Sequence, residues 1–348
     1  MNRFHLLVFV ALVVGTFAVI TSCIPTIPAP PLEEGDWQLL ITTDEANSRL
    51  LLVSQPNNKI VNQNLFLNTD SMRGIAGRVG KVQTFRDYIF VLMPEARKIE
   101  VLSSTSYRRL ATLNFATQNR IPSDIIFPNA TTGYIAFSNA SVLGVLDITN
   151  FTVPRDIEVG RNPVALDVRG NQVYCAVQGD NVIAVIDSRT NSVTARIPVP
   201  ASPQFVRLSP NASELIVVSA GSTNPRTAAR AALVSITEQR VLREAVLAIN
   251  PADSLTERAY GLAVSEREFA YIPMNKALVR VDLRNLARTT PLEGTFRNVS
   301  YNPIRLEIVV ADSSTMPVCT ILSSASDSLK ATIPLDSVRA PVLQVSSR

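Results

Sequence analysis

Six arginines fall at one recurring place, immediately before a run of alternating apolar residues. They are Arg73 (RGIAG), Arg120 (RIPSD), Arg161 (RNPVA), Arg258 (RAYGL), Arg297 (RNVSY) and Arg339 (RAPVL), with Ala201 (ASPQF) at the seventh occurrence. A guanidinium is always charged and presents a rigid fork of donors, so a ring of them suits a carboxylate or a phosphate. Like charges gathered in one place also repel each other unless something anionic compensates. Two outcomes are open: the ring takes an anionic ligand, or each arginine braces its neighbourhood through loop carbonyls or a carboxylate. Nearby acids such as Asp44, Glu45 and Asp180, and the further cations Arg226 and Arg230, belong to either picture.

Other chemistry is thin. The single histidine, His5, sits in an apolar leader, so nucleophile–histidine catalysis, histidine-ligated zinc or haem and histidine general bases are excluded from the remainder of the chain. Cys175 and Cys319 lie in apolar runs far apart in the repeat, as small buried residues rather than a disulfide pair. Asp147, Asp187 and Asp282 recur in VLDIT, VIDSR and RVDLR, where an aspartate capping the following turn explains the recurrence without a ligand. Pro128-Asn129, Pro210-Asn211 and Asn302-Pro303 read as turns in the same way. No metal, cofactor or catalytic residue is expected.

The elements that must position the arginines are strands. From Trp37 onward, short runs of apolar and β-branched residues are separated by Asn, Pro, Ser and Gly, with little helical periodicity. The clearest unit is NPVALDV, QVYCAVQG, NVIAVIDSRTN and SVTARIPV, over Asn162–Val199, and the segment that follows repeats its order. Second strands of such units fall near Leu39, Ile89, Ile135, Tyr174, Ile216, Ala270 and Glu307. Units of roughly 40 to 45 residues with four strands each signify a β-propeller, whose blades bury their faces on one another. The expected fold is therefore all-β, a seven-bladed β-propeller of four-stranded antiparallel blades over residues 37–348. The opening QLLIT enters at a second strand, and APVLQV, starting at Ala340, has the pattern of an innermost one. The C-terminal strand is therefore expected to complete the first blade and remove an open edge. In such a meander the loop entering each first strand lies on the face of the loop between second and third strands, so the arginines would ring the mouth of the central channel. Both termini fall on the opposite face.

The chain has 348 residues, 46% of them hydrophobic and 18% charged, which excludes disorder as its main description. A net charge of +4, from 33 basic against 29 acidic residues with no basic block, makes a nucleic-acid partner unexpected. Arg3 followed by the apolar run Leu6–Ile20 reads as a secretory leader. Ile20-Thr21-Ser22-Cys23 resembles a bacterial lipobox, which implies a signal peptide over 1–22 and a lipidated Cys23 that joins the protein to a membrane. The alternative is an export signal that contains a cysteine. Residues 24–36 hold four prolines and three acids, so 23–36 reads as an extended tether reaching roughly 40 Å.

VYCAVQGDNVIAVIDSRTNSVTARIPV and the following SPQFVRLSPNASELIVVS resemble the YVTN-type repeat of bacterial seven-bladed propellers, the YncE-like group. LLITTDEANSRLLLVSQPNNKIVNQNLF is similar to the first blade of Bacteroidetes surface propeller lipoproteins. The resemblance implies an exported, outer-membrane protein that binds rather than catalyses. The functional expectation is a lipid-anchored envelope propeller taking an anionic small molecule, glycan or envelope protein at the arginine mouth. The alternatives are a scaffold of an envelope complex and a propeller enzyme of lactonase, lyase or quinoprotein type. Asp70-Ser71-Met72, Asp253-Ser254-Leu255, Asp327-Ser328-Leu329 and Asp336-Ser337-Val338 resemble short O-glycosylation sites of the same envelopes.

Overall fold

A computed structural model describes residues 37–42, 49–54, 59–62, 64–65, 77–248, 252, 255, 258–312, 318–335 and 343–347. Their strands form seven four-stranded antiparallel sheets arranged as the blades of a ring. Six sheets are simple meanders in chain order. The first is composite: Leu343–Ser347 pairs with Trp37–Thr42, Leu39 opposite Val345, and Leu50–Ser54 and Lys59–Asn62 follow outward.

Burial explains the strand sequences. Second and third strands are covered on both faces because each sheet is sandwiched between two neighbours. Gln172–Val177 and Val182–Asp187 are accordingly buried along nearly their whole length. Outer strands meet solvent and alternate, as Ser192–Pro198 does. The apolar side chains pack as layers between adjacent blades. One layer joins Tyr134, Leu143 and Val145 of blade 3 to Leu166, Val173 and Cys175 of blade 4. Each such Leu or Val contributes about 1.5–3 kcal/mol of transfer free energy.

Polar repeats hold the turns and the seams. Asp147, Asp187 and Asp282 each accept the backbone N–H two residues on, at 2.8, 2.9 and 2.9 Å, so they cap turns. Asn129, Asn211 and Asn302 accept N–H groups of their own turns in the same manner. Between blades, the fully buried Tyr134 donates to Asn191 at 2.6 Å, and Tyr271 donates to Asp327 at 2.9 Å. These second-strand tyrosines latch onto the outer turn of the following blade. Cys175 and Cys319 are free thiols in blades 4 and 7, and burial pushes Cys319 up to about 12.

The inner strands position the site. They are Lys81–Phe85, Pro122–Ile126, Pro163–Arg169, Pro203–Leu208, Ala263–Val264 and Phe296–Asn302 for blades 2 to 7. In blades 3, 4, 5 and 7 the pairing slips one residue after the first pair, a bulge that leaves Ser123, Val164, Gln204 and Arg297 without a cross-strand partner. Blade 6 has only a bridge between Ala259 and Met274 before its two-residue strand. Its neighbour Pro273 has no N–H to extend the ladder and only accepts, from Tyr260.

Candidate functional site

Inner strands of blades 2 to 7 enclose a cavity of about 500 Å³ on the ring axis. Each inner strand has one edge with no neighbouring strand, so its N–H groups need side-chain or solvent partners. Asp124 supplies them twice, accepting from Ile125 at 2.7 Å and from Leu166 of the next blade at 2.9 Å. Asp167 repeats the arrangement one blade on, accepting from Val168 at 2.8 Å and Leu208 at 2.7 Å. Arg207 returns the contact, donating through Nη1 to Val206 and Leu166 carbonyls. Lys81 forms an ion pair with the buried Asp124, and burial lowers the lysine's pKa despite that partner.

Above this charged wall lies the mouth, and its arginines differ in circumstance. Arg120 makes a two-point contact with Asp156 on the outer strand of its own blade, at 2.9 and 2.7 Å, and stacks over Phe137. Arg161 is held at 2.7 Å by Asp180 in the loop between second and third strands of its blade, and donates to the Gly179 carbonyl. The guanidinium hydrogen bond depresses the Asp180 carboxyl below its usual range. Arg226 donates to the Leu255 carbonyl and Arg230 pairs with Glu244 at 2.6 Å. These four are braced.

Arg258 and Arg297 have no carboxylate partner among the described residues. Arg258 is exposed. Arg297 places its guanidinium 3.9 Å from the ring centre of Tyr260, a cavity-lining residue whose hydroxyl donates to Asn275. The pairing of strands moves Arg297 from its expected place. By register Phe296 corresponds to Pro122, Pro163 and Pro203, so Arg297 is the bulged residue inside the strand rather than a loop residue before it. Without the proline that marks the strand start in blades 3 to 5, the repeat pattern read from the sequence places Arg297 three positions too early. Tyr260, next after the bridging Ala259, occupies the corresponding place in blade 6. The stacked pair is therefore a contact between equivalent positions of adjacent blades. Arg73, Arg339 and Cys23, with residues 43–48, lie outside the described residues.

A guanidinium stacked on a cavity-lining ring, as Arg297 is on Tyr260, can receive an anion. Chain comparisons add the fold and nothing narrower. The chain is similar to a solved structure titled Kuenenia stuttgartiensis Hydrazine Synthase. The match has a TM-score of 0.58 and 14% identity, and covers 74% of this chain and 86% of that one. No family model matches the sequence, and no curated protein does.

The sequence alignment did not mark Lys81, Asp124, Asp167, Arg207 or Tyr260. A usable signal exists: PSDII, PVALDV and PQFVRL each carry an ionisable residue inside a strand that should otherwise be apolar or neutral. Among the described residues, no three His, Cys, Asp or Glu side chains gather as a metal site.

Proposed function

We propose that this protein is an exported β-propeller, carried on a lipid at Cys23, that binds an anionic small molecule at the blade 6–7 sector of its channel mouth without transforming it. The observation that carries this reading is the contrast in arginine partners. Arg120 and Arg161 are neutralised within their own blades, whereas Arg297 stacks on Tyr260 and neither it nor the exposed Arg258 pairs with an acid among the described residues. A guanidinium on an aromatic face keeps its donor edge available while the ring supports its cationic face. The lipobox-like leader and the YVTN-type repeat support export and binding. Trp37, the first described residue, pairs with Ser347 at the end of the inner strand away from the mouth, and we infer a tether attached on that side. The mouth is then presented away from the lipid surface.

The test is a thermal-shift panel on the full chain in detergent, with uronic acids, nucleotides and inorganic phosphate at two salt concentrations. A stabilisation that weakens with salt, disappears in Arg297→Glu and survives in Arg161→Glu is the expected result. The reading fails where no anion shifts the midpoint, or where both substitutions abolish the shift equally.

A second reading, a scaffold within an envelope complex, draws on Leu110 and Leu329. They are 50% and 62% exposed on outer strands of the blades flanking blade 1. Co-purification of a partner that is lost on Leu329→Glu distinguishes it.

A further inference from the structure

The charged wall of the cavity holds an imbalance that the mouth does not explain. Asp167 and Arg207 follow one another in register on adjacent inner strands: Asp167 lies opposite Tyr174, and Arg207 opposite Ile216, at the same step from their bulges. Both line the cavity. They carry opposite charges, yet no ion pair joins them. Asp167 is held by the N–H groups of Val168 and Leu208, and Arg207 by carbonyls through Nη1 alone. Neither has a charged hydrogen-bonding partner among the described residues. Two residues nearer the mouth, Lys81 and Asp124 stand at equivalent places of blades 2 and 3 and do pair. Register alone thus permits neighbouring strands to close an ion pair, and in blades 4 and 5 it stays open.

Two features follow for a ligand. Arg207 retains Nε and Nη2 as donors, the edge that receives a carboxylate in a two-point contact. Asp167 spends one backbone contact on each oxygen, which leaves lone pairs for an ammonium. The four ionisable groups Lys81, Asp124, Asp167 and Arg207 carry two positive and two negative charges in their ordinary states. A lone anion or cation entering such a neutral, partly desolvated cavity loses hydration without a net countercharge, whereas a molecule with both poles satisfies both open ends.

The geometry points to a second binding site in the cavity below the mouth, for a small zwitterion that presents a carboxylate to Arg207 and an ammonium to Asp167. It uses different residues from the proposed anion site, so the two readings stand or fall separately.

The test is isothermal titration of the full chain in detergent with the series glycine, β-alanine, 4-aminobutanoate and 5-aminopentanoate, and with acetate and methylammonium as single-pole controls. The expected result is an optimum at one chain length, with each single-pole compound at least roughly tenfold weaker. Asp167→Asn and Arg207→Gln each lower that affinity by tenfold or more, while Arg297→Ala leaves it unchanged. Arg207→Lys keeps the charge and the fold but removes the fork, and is expected to weaken binding several-fold even where a larger change disturbs folding. The proposal is overturned by absence of binding across the whole series, by acetate binding as tightly as the best amino acid, by an affinity indifferent to Arg207→Lys, or by loss in Arg297→Ala.

Discussion

Two sectors of one mouth use the same residue type for opposite ends. In blades 3 and 4 the arginine is consumed by its own blade: Asp156 on the outer strand takes Arg120, and Asp180 in the loop between second and third strands takes Arg161. In blades 6 and 7 neither Arg258 nor Arg297 has a carboxylate partner among the described residues. The turn of blade 6 that corresponds to the Asp180 loop reads Asn275-Lys276, and Arg297 lies against Tyr260. An arginine before a strand therefore says little by itself. Its role is decided by whether another part of its blade brings a carboxylate to it.

The comparison can be broken at its structural side first. Asp124→Ala removes the carboxylate that holds Lys81 and two inner-edge N–H groups in a buried place. It is expected to destabilise the protein by about 3 kcal/mol in chemical denaturation, since a half-buried lysine and two inner-edge N–H groups are left without their partner. A loss below about 1 kcal/mol would mean that water replaces the carboxylate and that the charged wall is not a strut.

Arg120→Ala removes a two-point ion pair that is one-quarter to one-third exposed, together with its stacking on Phe137. It is expected to lower stability by about 1 kcal/mol and to leave anion affinity unchanged. Arg297→Ala should do the reverse, changing stability by less than about 0.5 kcal/mol while abolishing the anion-induced thermal shift. Equal behaviour of the two variants in both assays would erase the distinction between the sectors.

Converting one sector into the other sharpens the contrast further. Asn275→Asp supplies blade 6 with an acid in the corresponding turn, next to the Tyr260 hydroxyl. Anion affinity, measured by titration, is expected to fall by about tenfold while the melting temperature hardly moves. Unchanged affinity would place the anion elsewhere.

The smallest effect is titration of Asp180. Its carboxyl is depressed below the ordinary 3.8 because it accepts from Arg161, so its stabilising contribution is complete above that value and fades as pH falls through the lower folded value. Thermal midpoints of wild type and Asp180→Asn are expected to converge below about pH 4. A gap that persists in stronger acid, or that opens on acidification, contradicts the pairing.

The fold was legible because repetition multiplies weak signals. Asp187 and Asp282 sit at turns that any one unit would leave ambiguous, yet their recurrence after third strands fixes the phase of the whole meander. The composite first blade was visible as well, since QLLIT lacks a preceding inner strand and the C-terminal segment has the missing pattern. The site was less legible. Arg120 and Arg161 were found, but their neutralisation depends on Asp156 and Asp180, which local spacing does not assign to them. Arg297 was misplaced because Phe296 stands where other blades have proline. Asp124, Asp167 and Arg207 carry no local motif, because their partners are backbone groups of a neighbouring blade rather than neighbours in sequence. The channel-facing edge of the inner strands has no strand to pair with, and polar side chains inside an otherwise apolar run are what that edge requires.

The pairing of Trp37–Thr42 with Leu343–Ser347 sets an order of events during synthesis. Six sheets are built from strands that follow one another directly, and each can form hairpin by hairpin as its residues emerge during synthesis. The first sheet must wait roughly 300 residues for its innermost strand, and closing so long a loop is entropically the hardest step for this chain. Its three early strands meanwhile carry an open edge. A chaperone that shields Trp37–Thr42 until Leu343–Ser347 arrives would act at the point where this ring is most exposed to pairing with the wrong partner.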